Sequence, residues 1–162
     1  MHHDRSGFTC GQVDLGAYLH RYAGQDTRRD YARLFVLIET IEPARILGYY
    51  TLNAAEIDVR DLPPEVRRKL PTYPAAPAIL LGRLAVASDH QGRGFGRFLL
   101  YDAFERALAI RRQMGAWALV VEAIDEGASR FYARHHFVAF PTTPRRLYLP
   151  LGRIDSLIGA KP

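Results

Sequence analysis

The sequence predicts an α/β (α+β) fold in which a mixed central sheet is flanked by helices. Three observations lead there. Residues 79–86 form a short apolar run between Pro77 and the polar pair Ser88, Asp89, as a buried strand requires. A glycine-rich turn follows, Gln91-Gly92-Arg93-Gly94-Phe95-Gly96. From there to Met114, Phe98, Leu99, Ala103, Phe104, Ala107, Leu108 and Ile110 recur at helical spacing, with Arg97, Asp102, Glu105, Arg106 and Arg112 on the other side.

A strand, a glycine turn and a long helix place successive backbone N–H groups at the positive end of a helix dipole. Alternating glycines let a ligand approach that backbone closely. The unit reads as a phosphate or pyrophosphate cradle with Arg93 and Arg97 beside it; the alternative is a tight turn that needs glycine for sterics alone. No Gly-Lys-Ser/Thr is present, which excludes a Walker loop. The glycines do not fit G-x-G-x-x-G, and no strand opens the chain as a dinucleotide fold requires.

The 162 residues are read as one domain, 1–162, with 48% hydrophobic and 24% charged residues. No apolar run approaches the roughly 20 residues of a membrane span, and no signal-peptide core opens the chain, so a cytoplasmic, non-membrane protein is expected. The single cysteine, Cys10, excludes an internal disulfide and a cysteine-only metal site. Net charge is +5, and the basic residues are arginine except Lys69 and Lys161. Arginine suits bidentate phosphate contacts, but the clustering of basic residues says more about a nucleic-acid partner than their sum.

In chain order, residues 1–6 read as a loose start, with His2-His3 too short for a metal site. Residues 11–23 read as a helix with Val13, Ala17 and Tyr18 inward, and 24–33 as a polar loop or short helix. Strands are expected at 34–39 and 46–54, joined as a hairpin, with a possible bulge at Gly48. Pro63 and Pro64 start a short helix carrying Arg67, Arg68 and Lys69, either a solvated face or a nucleic-acid contact. Residues 71–77 are expected as an extended proline-rich loop. After the long helix come a strand at 117–123, a helix at 126–136 capped by Asp125 or Glu126, and a strand pair at 138–140 and 146–151. The remainder is expected as a tail.

The order Gln91-x-x-Gly94-x-Gly96, after a Leu84-Ala85-Val86 strand end and before an amphipathic helix, resembles the acetyl-coenzyme A signature of the GNAT N-acetyltransferases. The resemblance extends to the TacT/KacT/AtaT group of acetyltransferase toxins. It is carried by Leu81-Gly82-Arg83-Leu84-Ala85-Val86, Gly48-Tyr49-Tyr50, Leu62-Pro63, Arg68-Lys69-Leu70-Pro71 and Phe131-Tyr132 ahead of Phe137. Ala87 stands where members usually have Asp, and Asn53 where they have a small Ser or Ala.

The resemblance implies a V-shaped splay between the core strands. It implies acetyl-CoA as co-substrate, with Leu84, Ala85, Val86, Gln91, Gly92, Arg93, Gly94, Phe95 and Gly96 binding it, and no metal. It also implies acetylation of the α-amine of an aminoacyl-tRNA, a ribbon-helix-helix antitoxin as partner, and a homodimer. Within the same family, a small amine, a peptide or a protein N-terminus is the alternative acceptor. A catalytically silent acyl-CoA-binding module is the non-enzyme alternative.

Acetyl transfer from a thioester to an amine needs a held carbonyl, a neutral amine and an acid for the departing thiolate. Backbone N–H groups at Leu84–Val86 supply the first. A free α-amine titrates around 8, so no strong base is demanded. The resemblance implies that the helix after Asp125 starts facing the cofactor sulfur, which makes Tyr132 the candidate acid, a phenol of pKa about 10 being close to a thiol; by position alone it reads as a packing tyrosine with its hydroxyl at the surface. Glu122 is a base candidate or a salt-bridge partner. His90 shapes the turn. His135 and His136 suit a helix C-terminus, and Cys10 lacks a nucleophile's partners. Arg83, charged inside an apolar run, either pairs with a carboxylate across the sheet or reaches the acceptor. With Arg67, Arg68 and Lys69 it is expected to form a basic rim for the acceptor stem.

Overall fold

The computed structural model describes residues 3–159. His2 of the expected loose start and the end of the expected tail, with Lys161, lie outside them. In chain order the elements are α1 (Val13–Ala17), a π-helical stretch (Tyr18–Tyr22), α2 (Ala23–Arg28), β1 (Arg33–Ile38) and β2 (Ile46–Asp58). A 3₁₀ turn (Val59–Asp61), α3 (Pro64–Arg67), β3 (Ala75–Val86), a second 3₁₀ turn (Ser88–His90) and α4 (Phe95–Gln113) follow. β4 (Ala118–Glu122), α5 (Glu126–Arg134), β5 (Val138–Ala139), β6 (Arg146–Pro150) and α6 (Leu151–Gly159) complete the chain. The strands form one mixed sheet in the order β1-β2-β3-β4-β6-β5. No described helix is long and apolar enough to cross a membrane.

Contacts gather into two compact units. The first holds the chain up to Asn53 together with Leu81–Phe104; the second holds Ala54–Leu80 and the chain from Glu105 onward.

In the first unit β1 and β2 pair antiparallel from Arg33↔Leu52 to Ile38↔Ile46. Leu37 faces Gly48 and Ile38 faces Ile46, so the bulged residue is Leu47, one place before the glycine expected to bulge. Gly48 is glycine for another reason. A methyl there would lie 2.8 Å from Leu99 Cδ1 and 2.9 Å from the Ala85 carbonyl oxygen, so β3 and α4 approach its backbone directly. Tyr50 stacks on Phe35 at 5.0 Å and donates its hydroxyl to Asp102 of α4.

On the other side of the strands Phe8, Tyr18, Leu19, Ala23, Ile46, Tyr49 and Ala85 form a core. Burying one such large side chain contributes about 2–3 kcal/mol. The expected helix at 11–23 instead runs from Val13 to Arg28 through the π-helical stretch. A wider turn slips the helix phase, so Tyr18 and Leu19 are buried while Val13 is 85% exposed.

In the second unit β4 pairs antiparallel with β6 from Ala118↔Pro150 to Glu122↔Arg146, and β5 with β6 at Val138↔Tyr148. Ile57, Leu62, Ala76, Ala78, Val120, Phe140 and Tyr148 pack together. The loop expected at 71–77 gives way to β3 at Ala75. Pro77 fits the strand because it faces solvent between buried Ala76 and Ala78, and its carbonyl still accepts the Trp117 N–H at 2.8 Å. The expected tail is helix α6, docked through Leu151 and Ile154 and tied by Arg111 to Asp155 at 2.8 Å. α5 starts as expected, with Asp125 Oδ1 accepting the Ala128 N–H at 2.8 Å. It stops at Arg134 rather than 136, since His136 takes the left-handed conformation (φ 74°) that closes a helix.

Candidate active site

The first unit carries the end of β3, the turn after it and the start of α4. Gly92 (φ 77°) and Gly94 (φ 84°) both occupy the left-handed region. Any other residue is strained there. Nothing lies within 4 Å of where either Cβ would stand. The glycines therefore serve the backbone path, and the space in front of them is open, as a ligand-facing loop requires. The first hydrogen bond of α4 runs from the Phe98 N–H to the Gly94 carbonyl at 3.0 Å. The N–H groups of Phe95, Gly96 and Arg97 precede it and have no partner within the helix. This arrangement fits a pyrophosphate.

Gln91 does not point its amide at that space. Its Nε2 donates to the Val86 carbonyl at 3.0 Å and the Cys10 carbonyl at 2.8 Å. It thus fastens the turn to the end of β3 and to the N-terminal segment. The same segment takes the Ser88 N–H on the Thr9 carbonyl at 2.8 Å. His90 bonds Asp89 at 2.9 Å and packs on Phe95 at 5.9 Å, so it shapes the turn as expected. That hydrogen bond, with Arg45 adding to it, holds the Asp89 carboxyl below its usual range. Arg93 and Arg97 are exposed beside the cradle, Arg97 lying over the Tyr101 ring at 5.3 Å. Phe98, expected inward, is 59% exposed.

Arg83 finds an aromatic partner rather than a carboxylate: its guanidinium lies 3.7 Å from the centre of the Tyr18 ring. The Tyr18 hydroxyl donates to Asp26 Oδ2 at 3.0 Å, which fixes the ring beneath it. Burial, with the Asp26 bond adding, pushes the Tyr18 phenol up to about 12. The buried Cys10 thiol donates to the Gln12 carbonyl at 3.4 Å, a structural placement.

The second unit carries Tyr132 and the basic run. Tyr132 is buried on α5 between the rings of Phe131 at 5.3 Å and Phe137 at 5.4 Å, both edge-on. Burial raises its phenol well above the ordinary value. The group is therefore wholly protonated at neutral pH, and the near-balance with a thiol expected from its ordinary pKa does not hold in the free protein. Arg67, Arg68 and Lys69 are exposed at the end of α3. Glu122 is exposed at the end of β4, opposite Arg146 in the register.

Two further groups carry no motif. Thr51 Oγ1 and Asn53 Oδ1 are buried on β2 without hydrogen-bond partners. In the sequence Asn53 stands out only as a departure from the family's small Ser or Ala, and Thr51 carries no signal.

Residues 30–139 match the acetyltransferase (GNAT) domain family. The chain is 35% identical to the tRNA-acetylating toxin of Mycobacterium tuberculosis (strain ATCC 25618 / H37Rv), over 96% of this chain and 91% of that protein. Its fold superposes on AtaT complexed with acetyl-methionyl-tRNAfMet with a TM-score of 0.89, at 28% identity over 96% of this chain and 92% of the other. It also superposes on a mutant AtaT toxin bound to the C-terminus of the antitoxin AtaR and acetyl-CoA. There the TM-score is 0.82, at 25% identity over 96% of this chain and 91% of the other.

Proposed function

From the premise that this chain belongs to the GNAT acetyltransferase family and draws its acetyl group from acetyl-CoA, we propose that it acetylates the α-amine of aminoacyl-tRNA. It would thus act as a translation-blocking toxin, restrained by an antitoxin. The observation that carries this reading is the match along 96% of the chain to a toxin structure holding acetyl-methionyl-tRNAfMet. The exposed run Arg67-Arg68-Lys69 supports it, since several adjacent cations give the salt-dependent affinity of a phosphate-binding surface. The antitoxin bound to AtaT supports a protein partner here, which we take to be of ribbon-helix-helix type. We further take the enzyme to be a single-domain cytoplasmic homodimer.

When bound, acetyl-CoA supplies the acetyl group as a thioester. The N–H groups from Gly92 to Arg97 grip its pyrophosphate, with Arg93 and Arg97 adding charge. The backbone of Leu84–Val86 holds the pantetheine and polarises the carbonyl. About half of a free α-amine is already neutral near pH 8, so water suffices to take its proton. Transfer forms the N–C bond and breaks the C–S bond, and Tyr132 gives its proton to the departing sulfur. A phenol whose pKa is raised remains a proton donor throughout the physiological range and stabilises a developing thiolate by hydrogen bonding. Arg83 with Arg67, Arg68 and Lys69 receives the acceptor end of the tRNA.

The test is incubation with labelled acetyl-CoA and bulk charged tRNA. Label is expected in the aminoacyl fraction. Label only in small amines or protein N-termini would replace the tRNA with those acceptors. A thermal shift with acetyl-CoA but no transfer at all would mark a silent binding module. Tyr132→Phe is expected to lower turnover about 10²–10³-fold while the shift caused by acetyl-CoA is kept. Unchanged turnover would remove the phenol as the acid.

A further inference from the structure

In the first unit a cleft of about 750 Å³ opens between the N-terminal segment and α2. The segment is held in a turn, the Phe8 N–H reaching the Arg5 carbonyl at 3.3 Å. His20, in the π-helical stretch, ties the two walls together by bonding the Phe8 carbonyl at 3.0 Å. Two guanidiniums line the cleft, one from each wall. A methyl built on Gly24 would lie 3.0 Å from Arg5 Nη1 and 3.3 Å from Arg28 Nη1, so both cationic ends approach one point. Neither guanidinium has a hydrogen-bond or ion-pair partner among the described residues. Elsewhere Arg33, Arg45 and Arg111 each have a carboxylate. Here the carboxylates nearest in sequence are turned to other groups. Asp4, which lines the cleft, accepts the Ser6 N–H at 2.9 Å and the Ser6 hydroxyl at 2.6 Å through Oδ1. Asp26 accepts the Tyr18 hydroxyl. Like charges gathered without a counter-ion repel one another, and such a pair calls for an anion.

We propose that Arg5 and Arg28 clamp one phosphate group between them, at a site that serves neither the cradle nor acetyl-CoA. Each guanidinium offers a fork of N–H donors that matches two oxygens. A carboxylate has two oxygens and satisfies one fork; a phosphate has enough for both. The lining of the cleft shares no residue with the turn from Gln91 to Arg97. This chemistry has two sources, a backbone phosphate of RNA or a free phosphate anion. The backbone is favoured by Arg21 and Arg29, exposed on the same helical segment, whose side chains likewise have no partner among the described residues. They extend the pair into a row of cations, which a polyanion needs and a single ion does not. That source rests on the tRNA reading above; the phosphate site itself does not.

The test is the double variant Arg5→Gln, Arg28→Gln. Relief of like charge is expected to hold or raise its thermal midpoint. In filter binding, its Kd for bulk deacylated tRNA is expected to rise about tenfold, and the slope of log Kd against log salt to fall by about one. By calorimetry its Kd for acetyl-CoA is expected to stay as in the wild type; a rise would assign the pair to the cofactor's own phosphates and overturn the proposal. Arg5→Lys with Arg28→Lys keeps both charges and is expected to keep the wild-type slope. Loss of the slope there would mark the arginines as merely structural and also overturn it. Unchanged tRNA binding in the glutamine variant, with inorganic phosphate raising the midpoint of the wild type alone, would support the site and assign it to a free anion. Indifference to both tRNA and phosphate would overturn it. If the glutamine variant acetylates charged tRNA with an unchanged KM, the backbone source falls and the tRNA reading stands. If the wild-type protein binds no tRNA, that reading falls and the phosphate measurement decides the site.

Discussion

Gly94 and Gly115 look alike in sequence, and nothing lies within 4 Å of either absent Cβ, yet only Gly94 has a positive φ. Gly94→Ala therefore forces a strained backbone, at a cost of about 1–2 kcal/mol, which the loop escapes by leaving the cradle conformation. The Kd for acetyl-CoA, read by calorimetry, is expected to rise about tenfold, while Gly115→Ala leaves it unchanged. At this scale the motif was legible. Gln91, Gly94 and Gly96 stand at signature spacing, whereas Tyr132 is a candidate through the family resemblance and not through its place after Asp125. What the sequence did not disclose was what each side chain touches. Gln91 braces main-chain carbonyls, and Arg83 rests on Tyr18 rather than on a carboxylate. Thr51 gave no sign of being an orphan, because a threonine in a strand is ordinary.

Most elements follow from periodicity and punctuation, and the departures have separate causes. The first helix was placed by a 3.6-residue period, which a π-helical turn breaks without any marker in the residues. Pro77 reads as a strand boundary in the sequence, yet it occupies an exposed position near the start of β3, where a proline is tolerated. α6 stands where a tail is expected, although Leu151, Ile154, Leu157 and Ile158 carry helical spacing in its own short sequence. The cap of α5 was read correctly, and it yields a prediction. Asp125→Ala removes the acceptor of the Ala128 N–H and is expected to cost about 1 kcal/mol. In a chain of this size that is a fall of about 2–4 °C in Tm, measurable by calorimetry. Activity should fall too, since Tyr132 is carried on that helix.

Across the whole molecule, charge and ionisation set the expected responses to solution conditions. Reversing Arg67, Arg68 and Lys69 to glutamate should weaken tRNA binding most at low salt and flatten the salt dependence by about three contacts. Filter binding at several salt concentrations checks this, and an unchanged slope would show the run to be a solvated face. The buried phenols give a pH effect whose sign follows from their direction. Tyr18 is raised to about 12, and Tyr132 is raised as well. Unfolded tyrosines titrate near 10, so the stability gained by keeping these groups neutral is complete below pH 10. It is lost as pH climbs toward and through 12. Denaturant midpoints at pH 8, 10 and 11 should decline in that order, with tyrosinate absorbance appearing in step with unfolding.

Carbonyl groups of Thr9 and Cys10 anchor Ser88 and Gln91. The residues that open the chain are thereby moorings for a loop some eighty positions downstream. Trimming them by limited proteolysis, or straining them with a bulky fusion at that end, is expected to disarm the enzyme while every reacting group survives. A preparation carrying its purification handle at the opposite terminus should be the more active one.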